Sequence, residues 1–198
     1  MSGPELASIT LADRPELWRV LGFAVAGSVA ILGGVELRLG APGSGIVGWR
    51  VHGVEPGTEI DGLPWSATDG GPPGRAEPHP NGAIGIDHVV VVTPQFDRTA
   101  AALHHAGLGL RRTRDAGGFR QGFRRLGPAI LELVEAPQRE GPPRFWGLVV
   151  IVEDLEALAE RLGDRLGSVK DAVQPGRRIA TLRESAGLST KLAFMDPE

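Results

Sequence analysis

Apolar residues in this chain fall into short alternating or continuous runs broken by glycine and proline, with amphipathic stretches between them. One grammar recurs: a short strand, a helix, then strands that end in a small-residue turn. Its clearest instance opens with GIDHVVVVTP. Pro94 and Gln95 then start a helix through Leu103 to Ala106, with Phe96, Ala100 and Leu103 close to helical spacing, and Gly107 and Gly109 stop it. The runs LRRTRDA, GFRQGFRRLG and AILELVEA follow as strands joined by turns.

A second unit begins with RFWGLVVIV and turns into the helix EDLEALAERLGD, whose Leu155, Leu158 and Leu162 share a side. It closes with RRIATLRES and STKLAFMDP. Placing FDRTAAAL over LEALAERL sets Phe96 on Leu155 and His88 on Gly147, while Glu132 lands on Leu192 or Ala193. The two units read as offset copies. The chain start is a looser version: SITLAD, a short helix RPELWRVLG with Pro15 in its first turn, then FAVAGSVAIL, GVELRLGAP and GIVGWRVHGV. VELRLGAP echoes LELVEAP, with Glu36 over Glu132. The expected organisation is a degenerate N-terminal module over residues 1–54, a Pro/Gly-rich linker or lid over 55–83, and a paired-module domain over 84–198, its halves at about 84–137 and 144–197. The degenerate module should pack on the complete pair, within the chain or against a second subunit in a homodimer.

Two ionisable groups interrupt apolar strands. Alternation puts His88 on the face of Val90 and Val92, and Glu132 on the face of Ile130 and Val134. A charge on a face that should be buried needs a partner or a ligand. Imidazole and carboxylate together begin a divalent-metal site without completing it, and without a metal they form an acid–base pair, Glu132 as base and His88 as its partner. A simple His–Glu hydrogen bond holding two strands together is the plainer alternative. In QPGRRIATLR, Arg177 and Arg178 open a strand on opposite faces, so at most one enters a cavity, where it would take a carboxylate or phosphate. His52 shares a face with Arg50 and, with His79, is a further candidate to reach the site. Trp146 is a candidate cavity wall and ligand contact.

Composition narrows the field. The chain has 198 residues, 41% hydrophobic and 23% charged, which suits a soluble globular protein. A net charge of −3 gives no basic footprint for nucleic acid, and the arginine-rich stretches Leu110–Arg114 and Phe123–Arg125 read as solvated strand faces. With no cysteine, disulfides, thiolate metal sites and thiol nucleophiles are excluded, and a reducing, cytoplasmic setting is expected. The uncharged stretch from Val20 to Val35 is too short and too glycine-broken for a membrane span. APGSG lacks the Lys-Ser/Thr of a P-loop, and no serine nucleophile elbow occurs.

The residues GIDHVVVVTPQFDRT, the strand LGPAILELVEAP and the second copy FWGLVVIVEDLEAL, in that order, resemble the vicinal oxygen chelate superfamily, which includes glyoxalase, bleomycin-resistance and extradiol dioxygenase proteins. The resemblance implies an α+β fold of paired βαβββ modules curled around a cavity. It also implies a divalent metal held by a histidine on the first strand and a glutamate on the last strand of each module. His88 and Glu132 stand at those places in the first module; Gly147 and Leu192 or Ala193 stand there in the second, so half of the implied metal site is missing. Three functions follow: a metal-free protein that binds a small organic molecule, a metal-dependent lyase, isomerase or dioxygenase with a reorganised ligand set, and an interaction protein whose cavity is filled by its own side chains. The binding protein is the first expectation.

Overall fold

The computed structural model describes residues 3–55, 58–65 and 77–198. Most of the linker, GGPPG included, lies outside them. None of the helices among the described residues is long and apolar enough to cross a membrane.

Strands β5 (Ala83–Thr93), β6 (Arg112–Asp115), β7 (Arg120–Leu126) and β8 (Ala129–Glu135), with helix α2 (Phe96–His105), make the first βαβββ unit. Strands β9 (Arg144–Val152), β10 (Lys170–Asp171), β11 (Arg178–Thr181) and β12 (Lys191–Met195), with helix α3 (Leu155–Leu162), make the second. They join edge to edge in one eight-stranded sheet, ordered β10-β11-β12-β9-β5-β8-β7-β6, with β5 and β9 antiparallel at the seam. In each unit the first strand runs parallel to the last, β5 with β8 and β9 with β12, and the intervening helix makes that crossover feasible. Asp154 caps α3 by accepting from the Ala157 amide at 2.9 Å, a bond whose loss costs about 1 kcal/mol.

The N-terminal segment has β1 (Glu5–Leu11), α1 (Pro15–Val20), β2 (Val29–Leu32), β3 (Val35–Arg38) and β4 (Ile46–His52), in a second sheet ordered β2-β3-β1-β4. β1 is parallel to β3, as β5 is to β8, so this segment is a module that lacks the first strand after its helix. Antiparallel β4 sits on β1 where β9 sits on β5, in the place of a partner module's first strand. Packing is within the chain. Ile9, Leu11, Trp18, Leu37 and Trp49 share one core with Val89, Val91, Leu131, Leu148, Val150 and Phe194 of the large sheet. Phe23 stacks on Phe194 at 6.3 Å between centroids and Trp49 meets Phe145 edge-on at 5.3 Å. At Gly33, where φ is +58°, any Cβ would lie 2.8 Å from the Gly85 Cα, so the β2–β3 turn approaches β5 as only glycine allows.

Residues 58–65 run along the core side and do not reach the His88 face. Ile60 and Leu63 are buried in the common core, and Asp61 pairs with Arg98 at 2.9 Å and accepts from the Thr99 hydroxyl at 2.6 Å. His79 pins the end of the linker to the N-terminal module, accepting the Ala24 amide on Nδ1 at 2.9 Å with Nε2 3.0 Å from the Ile31 carbonyl. It is therefore a fastening of the fold, far from the role of a ligand at His88. Burial lowers its pKa, partly opposed by the Ile31 bond, so the neutral ring is the folded form. A histidine depressed in the folded state stabilises it above its unfolded pKa, and that contribution is lost as pH falls from about 6.5 toward the folded value. Denaturation of the wild type below that pH should show this loss, and His79→Gln should be flatter over the same window; equal pH profiles would contradict the assignment.

Candidate functional site

Opposite the shared core, the large sheet carries a second, smaller apolar cluster of Val90, Val149, Ala193 and Met195, with Val134, Trp146 and Ile179 against it. This cavity face is set by register. In the first module one row across the strands reads Val90, Glu132, Phe123, Arg112, and the row beside it reads His88, Ile130, Arg125. In the second module two rows of the same face read Val149, Ala193, Thr181 and Ile151, Met195, Ile179, Lys170. With Phe96 over Leu155, Val90 corresponds to Val149, and the strand beside each then aligns Glu132 with Ala193, not Leu192. One half of the face is polar and the other almost wholly apolar.

His88 is 4% exposed and lines the cavity, and its Nδ1 contacts the carboxylate of Asp87. Neighbours in a regular strand face opposite ways, but the register of β5 against β9 shifts between Ile86 and His88, and the bulge brings Asp87 to the His88 side. Asp87 also pairs with Arg177 Nη1 at 2.9 Å, and Arg177 Nε donates to the Asp196 carbonyl at 2.8 Å. Burial pushes the Asp87 pKa upward, but its contacts with His88 and Arg177 outweigh that and hold it below the ordinary carboxylate range. This buried ionic network of Asp87, His88 and Arg177 ties β5 to the start of β11.

Glu132 accepts a hydrogen bond from Gln121 Nε2 at 2.8 Å, and Arg114 Nε donates to Gln121 Oε1 at 2.7 Å. The guanidinium of Arg114 lies 5.3 Å from the centre of the Phe123 ring, which meets His88 edge-on at 6.3 Å. Burial raises the Glu132 pKa, with the charges of His88 and Arg114 pulling it back. Glu135, by contrast, is bound by Arg120 at 2.8 Å on the other side of the strand and belongs to the fold.

These side chains line two adjoining lobes that share His88, Arg114 and Phe123. One, about 320 Å³, lies between Glu132 and the apolar wall of Val149, Ile179 and Met195. The other, about 400 Å³, is lined by Arg112, Arg125, Ile130 and Arg177. The β10–β11 connection, with Val173 and Gln174, borders both. Each lobe is within the size range of ligand pockets.

Three expectations from sequence need correction. His52 lies at the exposed end of β4 and lines a separate cleft with Ser8 and Glu36, away from His88. Arg178 faces outward, pairing with Glu156 and, at 2.8 Å, with Asp196, so Arg177 alone enters the cavity. Trp146 packs against the small cluster but lines a different cleft, beside Arg144 and Lys191. The arginine-rich runs do face solvent at Arg112 and Arg125, which are exposed, and with the half-buried Arg114 these two also line the site.

No protein-family profile and no curated protein sequence matches the chain. Among solved structures, methylmalonyl-CoA epimerase from Mycobacterium tuberculosis superposes with a TM-score of 0.50 at 20% identity, covering 59% of this chain and 90% of that one. The chain has the vicinal oxygen chelate fold. Other solved structures with this fold include a Streptomyces coelicolor methylmalonyl-CoA epimerase in complex with 2-nitronate-propionyl-CoA, at 17% identity, TM-score 0.47 and coverage of 56% of this chain and 95% of that one. A hypothetical protein from Bacillus halodurans C-125 matches at 15% identity, TM-score 0.47, covering 57% and 94%.

A divalent metal of the kind associated with the vicinal oxygen chelate fold does not suit the donors present here. His88 and Glu132 supply two. The amide oxygen of Gln121 is taken by Arg114, whose positive charge already acts on Glu132. At Gly147 a Cβ would lie 2.0 Å from the Lys191 carbonyl oxygen, so the backbone leaves no room for a second histidine, and Ala193 supplies no ligand. Among the described residues no group of three His, Cys, Asp or Glu is placed to hold a metal.

Proposed function

We propose that this protein binds a small oxygenated organic molecule across the junction of its two complete modules, without a metal. The observation that carries the reading is the division of the cavity face: Glu132, His88, Gln121 and Arg114 on one side, Val149, Ala193, Met195 and Ile179 on the other. Such a cavity rewards a ligand with one polar and one apolar side, its oxygens hydrogen-bonded and its carbon skeleton removed from water.

The test is retention. Purified protein incubated with the small-molecule fraction of a cell extract should keep an organic compound that native mass spectrometry detects, and Thr181→Trp should abolish retention. Thr181 is exposed on the cavity wall, so the larger side chain fills the lobe while sparing the core. A wild type that retains nothing, or a variant that retains the same compound, contradicts the proposal. Calorimetric titration with Mn²⁺, Ni²⁺ and Zn²⁺ should give no submicromolar binding; tight binding that disappears in His88→Ala would restore the metal-dependent reading.

A second reading, proton transfer on the bound molecule, is favoured by one feature. Glu132 is half-buried on the cavity wall with a raised pKa, which suits a general base in a cavity. Deuterium from solvent should then enter the retained compound with the wild type and not with Glu132→Gln. Absence of exchange with the wild type leaves binding as the function.

A further inference from the structure

We infer that the arginine-lined lobe seats an oxyanion, a carboxylate or phosphate carried on an apolar stem, and so that the protein takes amphipathic organic acids. The inference rests on the binding reading above and names its ligand class. Four guanidinium groups from three strands or their ends meet there: Arg112 and Arg114 from β6, Arg125 from β7, and Arg177 just before β11. The acidic residues lining the same lobe are Asp87 and Glu198, so four positive charges meet two negative ones in a chain whose net charge is −3. This concentration of like charge is local.

The charges inside the lobe are incompletely matched. Asp87 is committed to Arg177 and His88, and Arg114 is bonded to Gln121. Arg112 and Arg125 have no ion pair or side-chain hydrogen bond among the described residues. Arg177 is 6% exposed, and its Nη2 is buried with no hydrogen-bond partner. Neighbouring guanidiniums repel one another, and an oxyanion between them relieves that repulsion, because the guanidinium fork matches carboxylate and phosphate oxygens. The adjoining lobe supplies the seat for the rest of the molecule. Its wall of Val149, Ile179 and Met195 lies across Phe123 and His88 from the arginines, so an acid head in one lobe leaves an apolar stem against that wall.

Calorimetric titration with octanoate, octyl phosphate and octanamide tests this, since the three share a stem and differ at the head. One or both anions should bind at least about tenfold more tightly than the amide, and the better of the two identifies the head group. In the double variant Arg112→Gln/Arg125→Gln, whose altered side chains are exposed, anion affinity should fall by about tenfold or more while amide affinity stays unchanged. Equal affinity for anions and amide, or full anion affinity in the double variant, overturns the oxyanion seat while leaving the cavity reading intact. Failure of all three compounds, with no compound retained from extract, removes both.

Discussion

Replacing Asp87 with alanine is expected to destabilise the protein by about 3–5 kcal/mol, because it strands the buried Arg177 guanidinium without its carboxylate. For a chain of this size that corresponds to a fall in Tm of about 6–20 °C. The two side chains are only 8% and 6% exposed, so water offers little compensation. The double variant Asp87→Leu/Arg177→Met removes both charges at once and should recover much of the loss. An Asp87→Ala variant as stable as the wild type would show that the pair does not fasten β5 to β11.

A second large effect is expected at Gly147. Alanine there would press its methyl carbon to 2.0 Å from the Lys191 carbonyl oxygen, in the parallel pairing of β9 and β12. Backbone must move, since no flexible side chain can yield. A cost of about 3 kcal/mol or more is expected, read as a Tm lowered by about 6–12 °C. Gly147→His should fare worse and acquire no metal affinity. A stable Gly147→His protein that binds Zn²⁺ tightly would mean that the lost ligand is a matter of sequence drift and not of backbone geometry.

Much of the fold was legible because local signals agreed. Helix α3 has an aspartate cap, leucines at helical spacing and a glycine stop, and it lies at the same offset from its first strand as α2 does. The alternation that put His88 with Val90, and Glu132 with Val134, also held, since β8 is regular there and the irregularities in the pairing of β5 with β9 fall before His88 and after Val90. Asp87 was invisible for the converse reason. Its place beside His88 depends on a bulge, and nothing in IDH separates a bulged strand from a regular one. Arg112, Arg114, Gln121 and Arg125 were hidden by their own polarity: alternation assigns them a common face, but a polar face lining a cavity has the same pattern as one in water. His52 failed through topology, because β4 pairs with β1 in the separate sheet and ends beside Ser8 and Glu36. The short N-terminal module was ambiguous because Phe23–Val25, apolar enough for a strand, instead lead through a turn, with Phe23 spent on Trp18 and Phe194.

The most direct measurement of the central claim is a methyl-resolved NMR titration of the full chain with octanoate. The cavity at the module junction predicts saturable shifts at Val90, Val149, Ile179 and Met195, the residues of the small apolar cluster, with Val89, Val91 and Leu148 in the shared core largely unmoved. Shifts that spare this cluster, or that fall instead around Leu6 and Val35 beside the cleft of Ser8, Glu36 and His52, would place the binding site elsewhere and contradict it.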